Sequence, residues 1–358
     1  MKTRIFKAVF FSGLLVAFFS CKKDDPITPL PDADDGVGYS KGTFVVCEGA
    51  FNTNSGTIMY MNDTVSISDV FAKVNNRPLG DVVQSMHAYD TIAYIVVNNS
   101  QKIEVVNLVT FQSIATIRNV SFPQHVIQVQ NNVFVTNGNG NADNYVYVFN
   151  TTNYDKIDSI PTEAGPNQIL YLQDRLFVAN TGGWTNDSTI TVINPHSFSV
   201  DTVLNVGDMP LGCTVDKDNN LLVLCKGLTT YDEQWNPTVK SNSKIVLINT
   251  ETFELTTLKD FSHQIEIFAT NLMSYYNGIA YYIDNDGVYS LRTDTHEATK
   301  IISGNFYAIS IEPKTGNIWL CNTSSLTQHT LEVYSSLGDK IKEHNVEDYP
   351  NAVLFLTE

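Results

Sequence analysis

Few residues of this chain stand at spacings that do chemistry unaided. Its seven histidines (His87, His125, His196, His263, His296, His329 and His344) are scattered, with no HxxxH or HxH spacing to hold zinc. There is no GxSxG elbow and no Walker-type phosphate loop. Asp216-Lys-Asp218-Asn-Asn220 has the acidic look of a calcium loop, but Leu221 stands where that loop needs glycine and Gly227 where it needs the bidentate glutamate. It reads better as a hairpin turn between Val215 and Leu221. Asp284-Asn-Asp286-Gly287 places two carboxylates together as a hydrolase wants, although an Asn-Asp-Gly turn explains it more simply. A propeller lyase or hydrolase needs a histidine converging with a carboxylate, and His263 with Asp284 or Asp286 is the pair on offer. The expectation is no enzyme, no cofactor and no metal.

Binding chemistry is better represented. Amide and aromatic side chains recur in Gly-, Asn- and Pro-punctuated segments, and the candidate ligand-binding residues are Phe51, Arg77, Phe122, Gln124, Asn139, Asn167, Gln168, Trp184, Tyr231, Trp235, His263, Tyr307, Tyr349 and Asn351. Good turn formers also account for many of the asparagines. What makes them a set is the repeat that positions them.

That repeat is clearest from Ile160 to Val206, where four short runs rich in β-branched and aromatic residues are each stopped by Gly, Pro, Asn or Asp, predicting four strands. Prolines precede apolar runs at Pro78, Pro123, Pro166 and Pro210, spaced by 45, 43 and 44 residues. Such a period with four strands per unit predicts a β-propeller. First strands are expected at Val82, Val126, Ile169 and Cys213, then at Ile265–Thr270 or the run just after it, at Phe306–Ile311, and at Asn351–Leu356. The opening unit, Thr43–Glu48, Gly56–Tyr60 and Thr64–Ile67, lacks a first strand. The last run at the end of the chain supplies it, so an all-β, seven-bladed ring closed by its C-terminal strand is predicted; left open, the ring would present an unpaired sheet edge at each end.

In such blades the loop entering the first strand and the loop joining the second to the third lie on one side of the disc. The candidates above all fall in these loops, beside Asn98, Asn99 and Leu211. The two longest, 181–188 and 227–243, carry Trp184, Tyr231 and Trp235, and long loops in compact domains are often functional. Cys47, Cys213, Cys225 and Cys321 fall in strands and are expected as buried thiols; a one-residue register shift decides whether Cys213 faces Leu224 or comes near Cys225.

At the N-terminus, residues 1–20 combine a basic start with a short apolar run, the pattern of a secretory signal. The Leu14…Ser20-Cys21 ending resembles the lipobox of bacterial lipoproteins, which implies lipidation at Cys21. Residues 21–38 are a Pro- and Asp-rich linker, and Lys22-Lys-Asp-Asp resembles the signal that displays lipoproteins on the outer face of the outer membrane. The globular part is 39–358. The chain carries 22 basic and 38 acidic residues; without Lys2, Arg4 and Lys7 the balance is −19. That charge repels phosphate and argues against nucleic acid and anionic headgroups as partners, leaving the membrane to the lipid anchor alone.

Val46-Cys-Glu48-Gly-Ala-Phe51-Asn52…Ser55-Gly-Thr-Ile, Phe177-Val-Ala-Asn180-Thr-Gly-Gly and Val206-Gly-Asp-Met-Pro210 together resemble the seven-bladed propeller lipoproteins of gut-type Gram-negative bacteria. The resemblance spans the mature chain. Its best understood members capture cobalamin at the cell surface and hand it to a TonB-dependent outer-membrane transporter. It therefore implies a corrinoid as transported ligand and such a transporter as partner. A glycan-binding or protein-interaction propeller is the alternative from the same fold.

Overall fold

The computed structural model describes residues 38–325 and 328–356. The expected signal segment 1–20, Cys21 and the linker to residue 37 lie outside the described residues.

Seven four-stranded antiparallel sheets follow one another along the chain. Blades 2 to 7 occupy residues 83–117, 123–161, 166–205, 210–260, 273–303 and 308–346, each in strand order one to four from the axis outward. Second strands such as Ile92–Val97 and Leu221–Cys225 are almost wholly apolar and buried, because neighbouring blades cover both of their faces. Outermost strands such as Ser199–Asn205 have one face in water and are mostly exposed.

A local device joins each of blades 2 to 5 to the one before it. At the end of the third strand of blades 2 to 5 stands Asn107, Asn150, Asn194 or Asn249, whose Oδ1 accepts two backbone N–H groups of the following turn. Four residues on, Phe111, Tyr154, Phe198 or Phe253 takes a left-handed backbone and donates its N–H back to the Asn carbonyl. The ring so presented packs on an aromatic of the preceding blade: Phe111 on Phe44, Tyr154 on Tyr94, Phe198 on Phe134 and Phe253 on Phe177.

Blade 1 is assembled from both ends of the globular part. Gly42–Cys47 pairs with Thr57–Met61 on one side and with Pro350–Leu356 on the other, Thr43 opposite Phe355 and Val45 opposite Val353. The expected closure is therefore present, and the fold is the predicted seven-bladed propeller.

Several details differ from expectation. Pro123, Pro166, Pro210 and Pro350 are the first residues of their strands, a position that asks for no ladder donor, whereas Pro78 lies outside the strand Val83–Tyr89 that it was expected to introduce. Of the two runs expected for the first strand of blade 6, the later one forms it, as Met273–Tyr276. The earlier run has strand-like composition, but side chains take its donors: Ser243 Oγ accepts from Ile265 N and Asn285 Oδ1 from Glu266 N. The first strand of blade 7 is the shorter Ala308–Ile311. A six-residue helix, Val70–Asn75, was not anticipated; Asp69 caps its start, Asn76 ends it at φ 53, and it buries Val70, Phe71 and Val74. Residues 227–243, read as a loop, fold into a hairpin of Leu228–Tyr231 and Pro237–Ser241.

The cysteines Cys47, Cys213, Cys225 and Cys321 are free and buried, and the register sets Cys213 opposite Val223. Asp216 closes the turn before Leu221 by accepting from Asp218 N and Asn220 N, and Asn285-Asp286 form the two-residue turn between paired Asp284 and Gly287.

Removing residues 350–358 strips Gly42–Cys47 of its inner partner and opens the ring. The full chain is expected to melt in a single cooperative transition, and the truncated chain to lose it. A near-wild-type cooperative melt of the truncated protein contradicts ring closure as the basis of stability.

Candidate functional site

First strands enter the axis through abrupt turns. Tyr349, Val82, Gly165 and Met209, each immediately before a first strand, have φ of 56°, 56°, 63° and 53°. Only Gly165 is a type that adopts this backbone readily, and a β-branched residue such as Val82 does so against its preference. Strain of this kind persists where surrounding structure enforces it. These turns, with the loops between second and third strands, surround a cavity of about 490 Å³ at one mouth of the ring.

Eight of the sequence candidates meet there: Phe51, Phe122, Gln124, Asn139, Asn167, Trp184, Tyr307 and Asn351. Asn98, Asn99 and Leu211 join them. Trp184 is 81% exposed and Phe51 68%, which is unusual for rings that no protein group covers. The Trp184 loop is anchored nonetheless. Its N–H donates to Asn139 O, and Asp187 accepts from Ala164 N and Thr189 N. Gly140 and Gly182 pack backbone against backbone at φ of 88° and 87°, leaving no room for a Cβ on Gly140.

The amides divide by task. Asn137, fully buried, accepts from Ser121 N and Phe122 N and so aims Phe122; Asn98 Nδ2 donates to Pro123 O, and Asn139 Oδ1 accepts from Asn141 N and Ala142 N. These are the turn-forming asparagines. The side-chain amides of Gln84, Gln101 and Gln124 have no hydrogen-bond partner among the described residues and line the same cavity.

The floor holds a group that sequence reasoning quoted only as part of a motif. Glu48, at the end of the blade 1 first-described strand, lines the cavity and receives Asn351 Nδ2 at 2.9 Å and Tyr307 OH at 3.3 Å. Burial pushes its carboxyl above the usual range, opposed by those two donors. Burial, with Glu48 alongside, pushes the Tyr307 phenol up, so it stays protonated and donating. Phe268 was also missed as a site residue. It lines the cavity from the irregular segment before blade 6, 68% exposed, with the Lys226 ammonium 3.9 Å from its ring centre. Strand-like composition around 265–270 hid it, because a strand residue there has a neighbour on either side.

The remaining six candidates are elsewhere. Arg77 is tied by two bonds of 3.0 and 2.9 Å to Glu104 and lies over Phe71. Gln168 follows Asn167 along one strand and so faces another way; its Oε1 accepts from Cys213 N and its Nε2 donates to Asn271 Oδ1, below the mouth. Tyr231 and Trp235 pair at 6.0 Å on the projecting hairpin, exposed and outside the cavity. His263 does meet Asp284, at 2.8 Å, but the pair is outside the cavity, with the His263 ring edge-on to Phe261, while Asp286 is held by Lys300. Tyr349 packs on His329 with the rings tilted, 4.6 Å between centroids, and lines an adjoining recess of about 470 Å³ that shares Glu48, Phe51 and Tyr307 with the main cavity.

Seven blades around an axis, with a lined cavity at one mouth, define the class: a seven-bladed β-propeller. A model of the family described as domain of unknown function DUF5074 matches residues 41–350, and the chain belongs to that family. Among solved structures it is similar to a quinonprotein alcohol dehydrogenase-like protein from Bacteroides thetaiotaomicron (14% identity, 89% of this chain and 79% of that one, TM-score 0.69). It is also similar to BamB from Moraxella catarrhalis (12% identity, 86% and 84%, TM-score 0.54) and to AztD from Citrobacter koseri (9% identity, 87% and 96%, TM-score 0.53). At these identities the likeness is one of fold. No curated protein matches the chain in sequence.

Beneath the mouth a second cavity of about 270 Å³ lies on the axis, lined among others by Ser85, His125, Gln168, Cys213, Asn271 and Ser310. His125 Nε2 is buried there without a partner, and burial pushes the ring down to about 4. Its folded value is thus below the unfolded value of about 6.5, so its contribution to stability is complete above pH 6.5 and is lost as pH falls toward 4, at about 1.4 kcal/mol per pH unit. Denaturant unfolding of His125→Gln between pH 7 and 4.5 is expected to show a shallower loss of stability than wild type. Parallel profiles contradict a neutral, buried His125.

Proposed function

We propose that this protein is a non-enzymatic binding lipoprotein that captures a corrinoid, cobalamin first, on the mouth cavity and passes it to a TonB-dependent transporter. The observation that carries the reading is the pairing, around one cavity, of exposed rings (Trp184, Phe51, Phe268) with amides that have no partner among the described residues (Gln84, Gln101, Gln124). A corrinoid has apolar faces for the rings and peripheral amides for the glutamines. At about 490 Å³ the cavity suits part of a large ligand rather than the whole of it. One face of the macrocycle settles on the mouth and the other stays open, which is the geometry a hand-off needs. The resemblance to surface-displayed propellers that work with TonB-dependent transporters supports the same partner, and the Cys21 lipid anchor on the outer face of the outer membrane is part of the proposal.

A glycan is the second reading, favoured by the exposed, flat Trp184 ring, which suits a sugar face. An enzymatic reading through His263 and Asp284 is weaker, because that pair lies away from the cavity.

Calorimetric titration of the full chain with cyanocobalamin separates these. One-to-one binding with a negative heat-capacity change is expected, weakened roughly tenfold or more by Trp184→Ala or Phe268→Ala. No heat at two temperatures, with heat from neutral oligosaccharides, overturns the corrinoid reading in favour of the glycan.

A further inference from the structure

We propose that the mouth selects its ligand by charge, taking faces that present hydrogen-bond donors and rejecting carboxylates, with Glu48 as the selecting group. The inference rests on the mouth being the ligand site and deepens the corrinoid reading.

Among the described residues the cavity lining has no lysine, arginine, histidine or aspartate, and Glu48 is its one carboxylate. Glu48 is largely buried at the floor and offers only acceptors when ionised. Its protein partners neutralise no charge, since Asn351 and Tyr307 both donate as neutral groups. Two further acceptors add to the excess. Asn351 is 5% exposed, and its Nδ2 is committed to Glu48, Val83 O and Gln84 O, which identifies the other atom as Oδ1; that oxygen has no partner. Asn167 Oδ1, on the neighbouring side of the cavity, is likewise buried without one. These oxygens add to the negative potential behind the floor without offering a neutralising donor.

One cation stands close to the rim. Lys226 is not part of the lining, and its ammonium sits against the Phe268 ring. A ligand carboxylate settling on the floor therefore meets a buried like charge with no compensating cation, inside a chain of net charge −16. A neutral amide in the same place donates to Glu48 instead of repelling it. Glu48 is thus a specificity-determining residue: it passes a corrinoid whose side arms are amides and excludes the same corrinoid with an arm hydrolysed to the acid.

The test compares cyanocobalamin with its isolated monocarboxylic acids, using the full chain at pH 7.5 and competition calorimetry. Wild type is expected to bind at least one acid isomer roughly tenfold or more weakly than cyanocobalamin, and Glu48→Gln to close that gap to within about threefold. Tyr307→Phe removes a donor but keeps the charge, so its gap is expected to persist; melting temperatures of both variants establish that they fold. Equal binding of every acid and cyanocobalamin by wild type, or a gap unchanged in a folded Glu48→Gln protein, overturns this inference while the corrinoid reading stands. Silence toward every corrinoid brings down the functional reading and this inference with it.

Discussion

The hydrogen bonds of Asn351 are where ring closure and the ligand mouth become one interaction. Asn351 belongs to the C-terminal strand that completes blade 1. Its Nδ2 reaches Glu48 in the same blade and the carbonyls of Val83 and Gln84 in blade 2, while its own carbonyl accepts from Asn271 Nδ2, just before blade 6. Asn271 in turn accepts from Gln168 of blade 4. A polar network of this kind, away from bulk water, makes each member's position depend on the rest. The floor of the cavity therefore inherits its geometry from the closure of the ring.

Around that floor the protein spends its amides in two ways. Asn98, Asn137 and Asn139 satisfy backbone groups in turns, holding loops that have no ladder of their own. Gln84, Gln101 and Gln124 have no side-chain partner among the described residues, at a mouth whose aromatic rings are also exposed. The outer surface follows a different economy, with exposed outermost strands and ion pairs such as Arg175–Asp201 contributing little each. The mouth is the place where unsatisfied groups of both kinds converge.

Much of this was legible in the sequence, for reasons tied to particular residues. Pro123, Pro166 and Pro210 mark strand starts because a first strand tolerates a missing donor at its first position, and their spacing gives the blade period directly. The run 351–356 is too apolar to be a tail, and counting strands left blade 1 one short. Loop geometry then placed eight of fourteen candidates in the cavity. It failed where a side chain's direction, not its segment, decides. Asn167 and Gln168 are adjacent, yet only the first reaches the cavity. Tyr231 and Trp235 were carried away by a hairpin whose short strands contain Thr, Pro and Lys and have little apolar alternation. Phe268 was masked by side chains at Ser243 and Asn285, distant in sequence, capturing the backbone donors of an otherwise strand-like run. Glu48 could have been found, since a carboxylate following a buried strand at a loop face is uncommon.

The central claim is that the ligand sits on this one mouth. Hydrogen–deuterium exchange of the full chain with and without saturating cyanocobalamin tests it most directly, because backbone protection reports location without a mutation. The account predicts slowed exchange in segments 48–52, 98–101, 121–124, 138–141, 165–167, 181–185 and 266–270, with the hairpin 228–241 and the Asn107, Asn150, Asn194 and Asn249 turns unchanged. Protection confined to the hairpin or to those turns, or no protection anywhere, contradicts it.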